Sequence, residues 1–556
     1  MLEYPRPQFK RTSFYCLNGQ WTLNNKPIIV PYPKESDLSM YPIKEHEDKL
    51  VYIKEFDFND DLTDKRLILH FGAVDNKALV YLNDHFIGEH IGGYLAFSFD
   101  ITDYISNHNI LRVEVIDNTD TFYPYGKQSN KPSGMWYTSI SGIWKTVWME
   151  TVPTKEEIRS IKIETTIDSI DFYVDTDNEY CISITFDEDT VAYISKSQHL
   201  HVDLKNIKYQ NWTIKQPVLY TVTIKTNYDT VQTYVGIREI GVETINNHKY
   251  LCLNKEPIYL NGVLDQGYFS DGIYSPKDTK EYLNDIRRMK ELGFNMLRKH
   301  IKVEDEAFYY YCDKEGMLVM QDMVNSGDVN FLKNIFLPTI GFVTRNDNIN
   351  VDEARLNFFI EHSKETIKQL YNHPCIVAWT IYNESWGQQR SSQVFKELKQ
   401  LDKYRPFDTC SGWYKTLDSD FDSYHIYFRN KVLTSKTNQI LFLSEYGGIK
   451  RHIEGHTFTK RKANYGYGSS NDEKELTNKL IDMYANMIIP SIKKGLAGSV
   501  LTQLSDVEEE ENGLYTYDRM VCKINKKSIQ ELNAYIYRLF RETLLKWFLF
   551  FYYRLH

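Results

Sequence analysis

The chain has 556 residues, of which 42% are hydrophobic, 25% charged and 14% aromatic, so it is too long for one hydrophobic core and predicts an ordinary globular protein of several domains. Its net charge of −9 provides no basic surface, which argues against nucleic acid as a partner. It contains no uncharged apolar run of about 18 residues, which argues against a membrane span.

The first two predicted regions consist of strands. Residues 1–152 contain short alternating segments such as 67–71, 78–82 and 111–115, separated by Asn, Asp and Gly turns. This pattern predicts a β-sandwich, which we assign as a jelly roll. Residues 153–242 repeat the pattern at smaller size and predict a second, immunoglobulin-like sandwich.

From residue 243 to 556 apolar strands alternate with amphipathic helices, which predicts βα units and a parallel sheet. Eight strands and five helices in this region indicate a closed (β/α)₈ barrel, or TIM barrel. The predicted strands are 260–266, 296–300, 317–322, 376–382, 408–412, 423–427, 440–445 and 498–504. The predicted helices are 278–292, 303–315, 352–372, 391–404 and 473–489.

Three segments do not follow a regular barrel. Residues 414–422 are too short for a helix between two strands, so either the barrel is irregular there or the strand register is shifted. The long segment 324–351 is expected to shape a binding site. The aromatic tail 544–553 is expected to pack on the outside of the barrel, or else to contact a membrane surface or a second subunit.

Two of the predicted strands end in a carboxylate. The run 376–385 (IVAWTIYNES) ends in Asn383 and Glu384, and the run 440–446 (ILFLSEY) ends near Glu445. Barrel enzymes place their chemistry at the carboxyl ends of strands, and a pair of carboxylates there can cleave a glycosidic bond. Each glutamate taken alone could equally be a surface or salt-bridged residue.

The segments around both glutamates resemble signatures of glycoside hydrolase family 2, the β-galactosidase and β-glucuronidase family. The resemblance covers nearly the whole chain in order. In the amino-terminal sandwich it rests on 17–21 (LNGQW), 71–75 (FGAVD), 80–83 (VYLN), 134–136 (GMW) and 141–144 (SGIW). In the barrel it rests on 261–267 (NGVLDQG), 293–300 (GFNMLRKH), 372–386 (NHPCIVAWTIYNESW), 443–448 (LSEYGG) and 502–507 (TQLSDV).

The resemblance implies a retaining exo-β-glycosidase that works by double displacement. It implies that Glu384 is the general acid/base and Glu445 the nucleophile. It further implies that Arg298 keeps the nucleophile ionised, and that several side chains contact the nucleophile or the sugar. These are Asn383, Asp265, His300 and Tyr427, with His425, Trp413 and Trp386 as candidates that could instead be core residues.

The sugar is where the chain departs from the family pattern. Gln503 lies where some members have a tryptophan, and no Asn-x-Lys-Gly element for a uronate carboxylate is found. A neutral sugar, such as a β-galactoside, is therefore favoured. The alternatives are a β-glucuronidase, a β-mannosidase or an arabinopyranosidase on the same scaffold, or a non-catalytic carbohydrate-binding protein.

Few other partners are expected. The mechanism needs only two glutamates, so we predict no cofactor and no obligatory metal; the run 508–511 (EEEE) is expected to be a solvated face, with a bound cation as the alternative. Seven scattered cysteines without a C-x-x-C pair predict reduced thiols. Together with an amino terminus unlike a secretory signal, they predict a cytoplasmic protein. A homo-oligomer is left open.

Overall fold

The computed structural model describes residues 4–186, 189–329, 337, 347–427, 429–458 and 466–555, without the side chains from residue 546 onward. Two antiparallel sandwiches precede an eight-stranded parallel barrel, which confirms the predicted architecture. None of the helices in these ranges is long and apolar enough to cross a membrane.

The first sandwich packs a six-stranded sheet against a four-stranded sheet, with its own apolar core around Trp21, Tyr52 and Phe71. The six-stranded sheet contains Lys26–Val30, Gly19–Leu23, Lys49–Asp57, His108–Ile116, Lys77–Leu82 and His85–Ile91. The four-stranded sheet contains Tyr15–Cys16, Val147–Pro153, Lys65–Phe71 and Phe97–Asp100. Two short pairs are Gln128–Ser129 with Tyr137–Thr138 and Val74–Asp75 with Gly142–Ile143, and two 3₁₀ turns are Asp37–Ser39 and Thr102–Tyr104.

The second sandwich also has its own apolar core, which includes Phe172, Ile182 and Val222. Its three-stranded sheet contains Ser160–Thr165, Ser169–Asp175 and His199–Asp203. Its four-stranded sheet contains Asp189–Ser195, Tyr180–Phe186, Tyr220–Lys225 and Thr230–Val235. A further sheet of Ile240–Ile245, His248–Leu253 and Glu256–Pro257 follows. The first strand of this sheet spans residue 242, where we predict that the second sandwich ends and the barrel domain begins. That boundary stays a proposal.

All eight predicted barrel strands are present within a few residues of their predicted ends. They are β1 Leu260–Asp265, β2 Met296–Lys299, β3 Leu318–Asp322, β4 Ile376–Asn383, β5 Phe407–Ser411, β6 Phe421–Ile426, β7 Ile440–Gly447 and β8 Gly498–Thr502. Most of their residues are buried on both faces, as expected for a parallel sheet covered on both sides. Their hydrogen-bonded order is β5-β4-β3-β2-β1-β8-β7-β6.

The helices of the barrel region begin and end at recognisable signals. The bounds are α1 Lys280–Glu291, α2 Glu306–Glu315, α3 Glu353–Leu370, α4 Ser391–Leu401, α5 Glu473–Met483, α6 Ile489–Ile492 and α7 Lys526–Leu555, with a π-helical turn Tyr484–Ile488. Asp352 caps α3 by accepting a hydrogen bond from the backbone N–H of Arg355, and Gly316 ends α2 with a φ of +69°. These are the residue types that helix ends favour.

The barrel is irregular between β5 and β6, where the sequence predicted a short connection. No helix forms in residues 412–420, all of which are described. The two strands do not share a hydrogen-bonded ladder. Side chains join them instead: Ser423 donates to Asp408 at 2.8 Å, and Ser411 Oγ lies 3.1 Å from His425 Nε2. The irregular alternative was therefore the correct one.

The acidic run after β8 is not a solvated face, so that expectation is wrong. Glu508, Glu510 and Glu511 are buried, because each carboxylate accepts hydrogen bonds from neighbouring segments. Glu508 accepts from the backbone N–H of Thr138 at 2.9 Å, and Glu510 accepts from the hydroxyl of Tyr137. The run thus fastens the first sandwich to the mouth of the barrel.

The carboxyl-terminal helix α7 packs on the barrel in its first half. Asn533 donates to the backbone oxygen of Leu292 at 2.8 Å, and Phe540 packs against Tyr250 and Tyr259. Most of the tail 544–553 lies outside the described side chains, so its predicted contacts stay predictions. Most of the predicted binding segment 324–351 likewise lies outside the described residues.

Candidate active site

Glu384 and Glu445 lie side by side at the carboxyl end of the barrel. Glu384 directly follows β4, and Glu445 lies near the end of β7. One carboxylate oxygen of each, together with a ring nitrogen of His425, lie within 4.8 Å of one another. Retaining glycosidases hold their two carboxyl groups about 5 to 5.5 Å apart, whereas inverting enzymes need a wider gap for water. The spacing fits direct attack by one carboxylate.

Glu445 is held in its ionised form. Arg298 Nη1 lies 3.1 Å from its Oε1, and the hydroxyl of Tyr427 donates to its Oε2. Burial disfavours the charged carboxylate, but the charges of His425 and Arg298 outweigh it and lower the pKa of Glu445 to about 2. An ionised, oriented carboxylate is what nucleophilic attack requires.

Arg298 connects Glu445 to the neighbouring strands. It is fully buried on β2, where Nε donates to Asp322 at 3.0 Å and Nη2 donates to Oδ1 of Asn383 at 2.9 Å. The carboxylate of Asp322 also lies 2.9 Å from Nδ1 of His300. A guanidinium fork with fixed partners on three strands can hold the nucleophile in one orientation.

Asp322 is a site residue that the sequence analysis missed. It ends β3, so the same reasoning that selected Glu384 could have found it. Burial opposes its charge, but Arg298 and then His300 lower the pKa of Asp322. Asp322 therefore supplies the counter-charge that keeps Arg298 in place.

Glu384 is presented by an unusual backbone turn. Its φ is +48° and that of Ser385 is +63°, and its backbone N–H donates to Ser411 O at 2.9 Å. Its Oε1 lies 2.8 Å from Nδ1 of His425. Non-glycine residues adopt this left-handed conformation at a cost, which recurs at functional sites.

Four of the predicted contacts, Asp265, His425, Trp386 and Trp413, do not line the cavity between the glutamates, and their roles toward the sugar stay predictions. Asp265 accepts hydrogen bonds from Lys299 Nζ at 2.7 Å and from the backbone N–H of Gly267. Trp386 is buried and stacks on Trp136, with ring centroids 5.1 Å apart. Trp413 packs against His425 at 5.6 Å.

The cavity itself is lined by residues from both the barrel and the first sandwich. Its walls include Glu384, Glu445, Asn383, His300 and Tyr427 from the predicted set. They also include residues that the sequence analysis missed: Lys127, Met135, Leu264, Gln266, Tyr467, Thr502 and Glu510. Lys127 and Met135 lie on the first sandwich, and no pattern in the sequence shows that this region reaches the barrel mouth.

Glu384, His425 and Glu445 are also the one group among the described residues that is close enough to hold a metal ion. Their ligand atoms are engaged by one another, by Arg298 and by Tyr427. A guanidinium beside Glu445 repels a second cation. The arrangement suits proton transfer and nucleophilic attack better than metal binding.

Comparison with known proteins gives consistent results. Residues 9–153 match the family model "Glycosyl hydrolases family 2, sugar binding domain", and residues 244–521 match "Glycosyl hydrolases family 2, TIM barrel domain". A "Beta-galactosidase" of Thermoanaerobacter pseudethanolicus is 27% identical over 69% of this chain and 51% of its own length. A "Putative beta-glucuronidase" of Formosa agariphila is 25% identical over 73% of this chain and 51% of its own.

The chain therefore spans about half the length of these curated relatives. Among solved structures, "Uncultured Clostridium sp. Beta-glucuronidase" superposes with a TM-score of 0.77 at 20% identity. That likeness covers 96% of this chain and 99% of the other. At such low identity it shows a shared fold.

Proposed function

The chain belongs to glycoside hydrolase family 2, and we propose that it is a retaining, exo-acting β-glycosidase with Glu445 as nucleophile and Glu384 as general acid/base. The observation that carries the proposal is the close approach of the two carboxylates, within 4.8 Å. Of these two carboxylates, only Glu445 accepts a hydrogen bond from Arg298. His425 lies closer to Glu384, at 2.8 Å, than to Glu445, at 3.6 Å, so the two groups have different electrostatic surroundings.

The reaction follows from these surroundings. Glu445 attacks the anomeric carbon and forms a glycosyl ester, while Glu384 gives its proton to the departing glycosidic oxygen. The ester removes the negative charge of Glu445. Glu384, now ionised, takes a proton from water, which attacks the same carbon and releases the sugar with its original configuration.

Asn383 and Tyr427 assist in this proposal. Oδ1 of Asn383 accepts from Arg298, and among the described residues its Nδ2 donates to no acceptor, so it is free for a sugar hydroxyl. Tyr427 donates to Glu445 and lies 3.2 Å from Oγ1 of Thr502. Its hydrogen bond stabilises the carboxylate before attack and after the ester is cleaved.

For the sugar we propose a terminal β-galactoside or β-glucuronide. Relatives that bear each of these names support both. The two sugars differ at C6, where galactose has a hydroxymethyl group and glucuronic acid a carboxylate, and in the configuration of the 4-hydroxyl, so a charged group in the cavity would discriminate between them. A non-catalytic binding protein is disfavoured because Arg298 and Tyr427 contact Glu445 and His425 contacts both carboxylates.

We also propose that the protein is cytoplasmic. Whether it forms a homo-oligomer stays open. All seven cysteines lie in the described part of the chain, and none forms a disulfide. Free thiols are typical of a reducing compartment.

The test is to identify the anomer formed first. Proton NMR during hydrolysis of a nitrophenyl β-glycoside should show the β-anomer before mutarotation. A 2-deoxy-2-fluoro glycoside with a good leaving group should label Glu445, as located by mass spectrometry of peptides. Release of the α-anomer, or labelling at Glu384, would contradict the proposal.

A further inference from the structure

One side chain in the active-site cavity has no hydrogen-bond or ion-pair partner among the described residues. Lys127 lines the same cavity as Glu384 and Glu445, and only 7% of it is exposed. Across the described residues, its ammonium group donates no hydrogen bond and has no carboxylate within salt-bridge distance. An ammonium group taken out of water normally requires such partners.

Other buried lysines of the chain have them. Lys145 donates to three backbone oxygens at 3.1 Å. Lys299 donates to Asp265 and Glu304 at 2.7 and 3.2 Å. Lys523 donates to Asp506 at 2.6 Å and to two backbone oxygens. The unpaired state of Lys127 is therefore a property of its position and not of buried lysines in this fold.

The position of Lys127 is fixed by the surrounding backbone. The preceding Gly126 has a φ of +68°, and a Cβ there would meet Tyr94 Oη at 2.7 Å. The backbone N–H of Tyr125 donates to Asn325 O at 3.0 Å, and that of Tyr137 donates to Lys127 O at 3.0 Å. Both ends of this short segment are thus tied to the barrel or to the adjacent strand.

Two aromatic rings and two titratable groups surround the ammonium group. It lies 5.6 Å from the ring centroid of Tyr137 and 5.8 Å from that of Trp386, where ring faces attract a cation. Burial and then the charge of Lys127 lower the pKa of His300, and the same charge acts on Glu445. Lys127 is therefore within electrostatic range of the reacting centre.

The remaining polar groups of the cavity show what a ligand must supply. The carboxylates already have donors: Glu445 has Arg298 and Tyr427, and Glu510 has Tyr137 and Asn512. Gln266 on the cavity wall also presents an unpaired donor. Its buried Nε2 has no hydrogen-bond partner in the described part of the chain. Among the described residues, Lys127 and Gln266 thus present unpaired donors to the cavity, and no carboxylate lies within salt-bridge distance of the Lys127 ammonium group.

We infer that Lys127 is a specificity-determining residue that binds an oxyanion on the sugar cleaved at Glu445, so that the substrate is an acidic β-glycoside. The inference rests on the proposed glycosidase function and adds the charge of the sugar to it. The oxyanion is a carboxylate at C6 or a sulfate ester. This inference replaces the expectation of a neutral sugar. That expectation rested on the missing Asn-x-Lys-Gly element, whereas Lys127 supplies a cation from the first sandwich.

The experiment measures kcat/KM of the full chain for two acidic and two neutral substrates. The acidic ones are nitrophenyl β-glucuronide and nitrophenyl 6-sulfo-β-galactoside, which separate carboxylate from sulfate; the neutral ones are the β-galactoside and β-glucoside. Lys127→Met removes the charge at similar length, and Lys127→Arg retains it. Lys131→Met, at an exposed lysine of the same loop, is the matched control.

We expect the wild type to prefer one acidic substrate. Lys127→Met should lower the ratio of acidic to neutral kcat/KM by about 10- to 100-fold, the usual range for a lost charge-assisted hydrogen bond. Lys127→Arg should lower it less, and Lys131→Met should leave it unchanged. A ratio that Lys127→Met does not change, or a wild type that cleaves only neutral glycosides, would overturn the inference while leaving the retaining mechanism intact.

Two further measurements keep the outcome decisive. If Lys127→Met does not fold, as judged by its thermal melt, the wild-type preference and the Lys127→Arg ratio decide. If the wild type cleaves no glycoside, the proposed function fails, and calorimetry with D-glucuronate and D-glucose, which differ only at C6, tests the cation alone. Tighter binding of the uronate would then support the inference, and equal or absent binding would overturn it.

Discussion

Nδ1 of His425 lies 2.8 Å from Oε1 of Glu384 and 3.6 Å from Oε2 of Glu445, so one imidazole contacts both carboxylates. Its other nitrogen lies 3.1 Å from Oγ of Ser411 on the adjacent strand. The ring is thereby fixed between the two groups. His425 positions the proton donor at the place where β5 and β6 lack a hydrogen-bonded ladder.

Replacing His425 by alanine should impair acid catalysis in particular. Without the ring, Glu384 loses its one described side-chain partner, and we expect kcat for substrates with poor leaving groups to fall by about 10- to 100-fold. For 2,4-dinitrophenyl glycosides, which need little protonation, the loss should be smaller. Steady-state rates across a leaving-group series measure this. His456→Ala, which removes a histidine paired with Asp518, is the control; equal losses for all leaving groups would argue against the positioning role.

Replacing Arg298 should make Glu445 titrate at a higher pH. Burial raises the pKa of Glu445 and His425 and Arg298 lower it, so removing the guanidinium leaves the burial effect less opposed. The acidic limb of the kcat/KM profile should therefore move to higher pH in Arg298→Met and less in Arg298→Lys. A pH–rate profile of each folded variant checks this, and an unchanged acidic limb would show that Arg298 does not control the nucleophile.

The low pKa of Glu445 should also appear in the pH dependence of stability. Its folded pKa of about 2 lies below the value of about 4.3 for an unfolded glutamate. Its contribution is therefore complete above about pH 5 and is lost as the pH falls toward 2, up to about 3 kcal/mol.

Urea unfolding of the wild type and Glu445→Gln between pH 7 and pH 3 measures this contribution. The free energy of unfolding of the wild type, relative to the variant, should decrease as the pH is lowered. A difference that stays constant over this range would mean that Glu445 is not held ionised by its neighbours.

The barrel could be predicted from the sequence because its strands are short apolar runs separated by helices of regular period. Glu384 and Glu445 were found because each lies at the end of such a run and because the segments around them resemble the family signatures. The break between β5 and β6 was also visible, since residues 414–422 cannot form a helix between two strands. These features all depend on local sequence.

The features that were missed depend on contacts between distant segments. Glu508 and Glu510 are buried and accept hydrogen bonds from residues more than 350 positions earlier, Thr138 and Tyr137, and charge alone does not reveal this. Lys127 lies in the active site only because the first sandwich docks on the barrel mouth. Trp386, whose contact with the sugar stays a prediction, stacks on Trp136 of that sandwich, and the sequence does not show this contact.

The central claim is that Glu445 is the nucleophile and Glu384 the acid/base, and azide rescue of the two alanine variants tests it most directly. In Glu384→Ala, azide should attack the glycosyl ester on Glu445 and yield a β-glycosyl azide. In Glu445→Ala, azide should occupy the space of the missing nucleophile and yield an α-glycosyl azide. NMR of the products reads the configuration. The opposite pairing, or rescue of neither variant, would contradict the assignment.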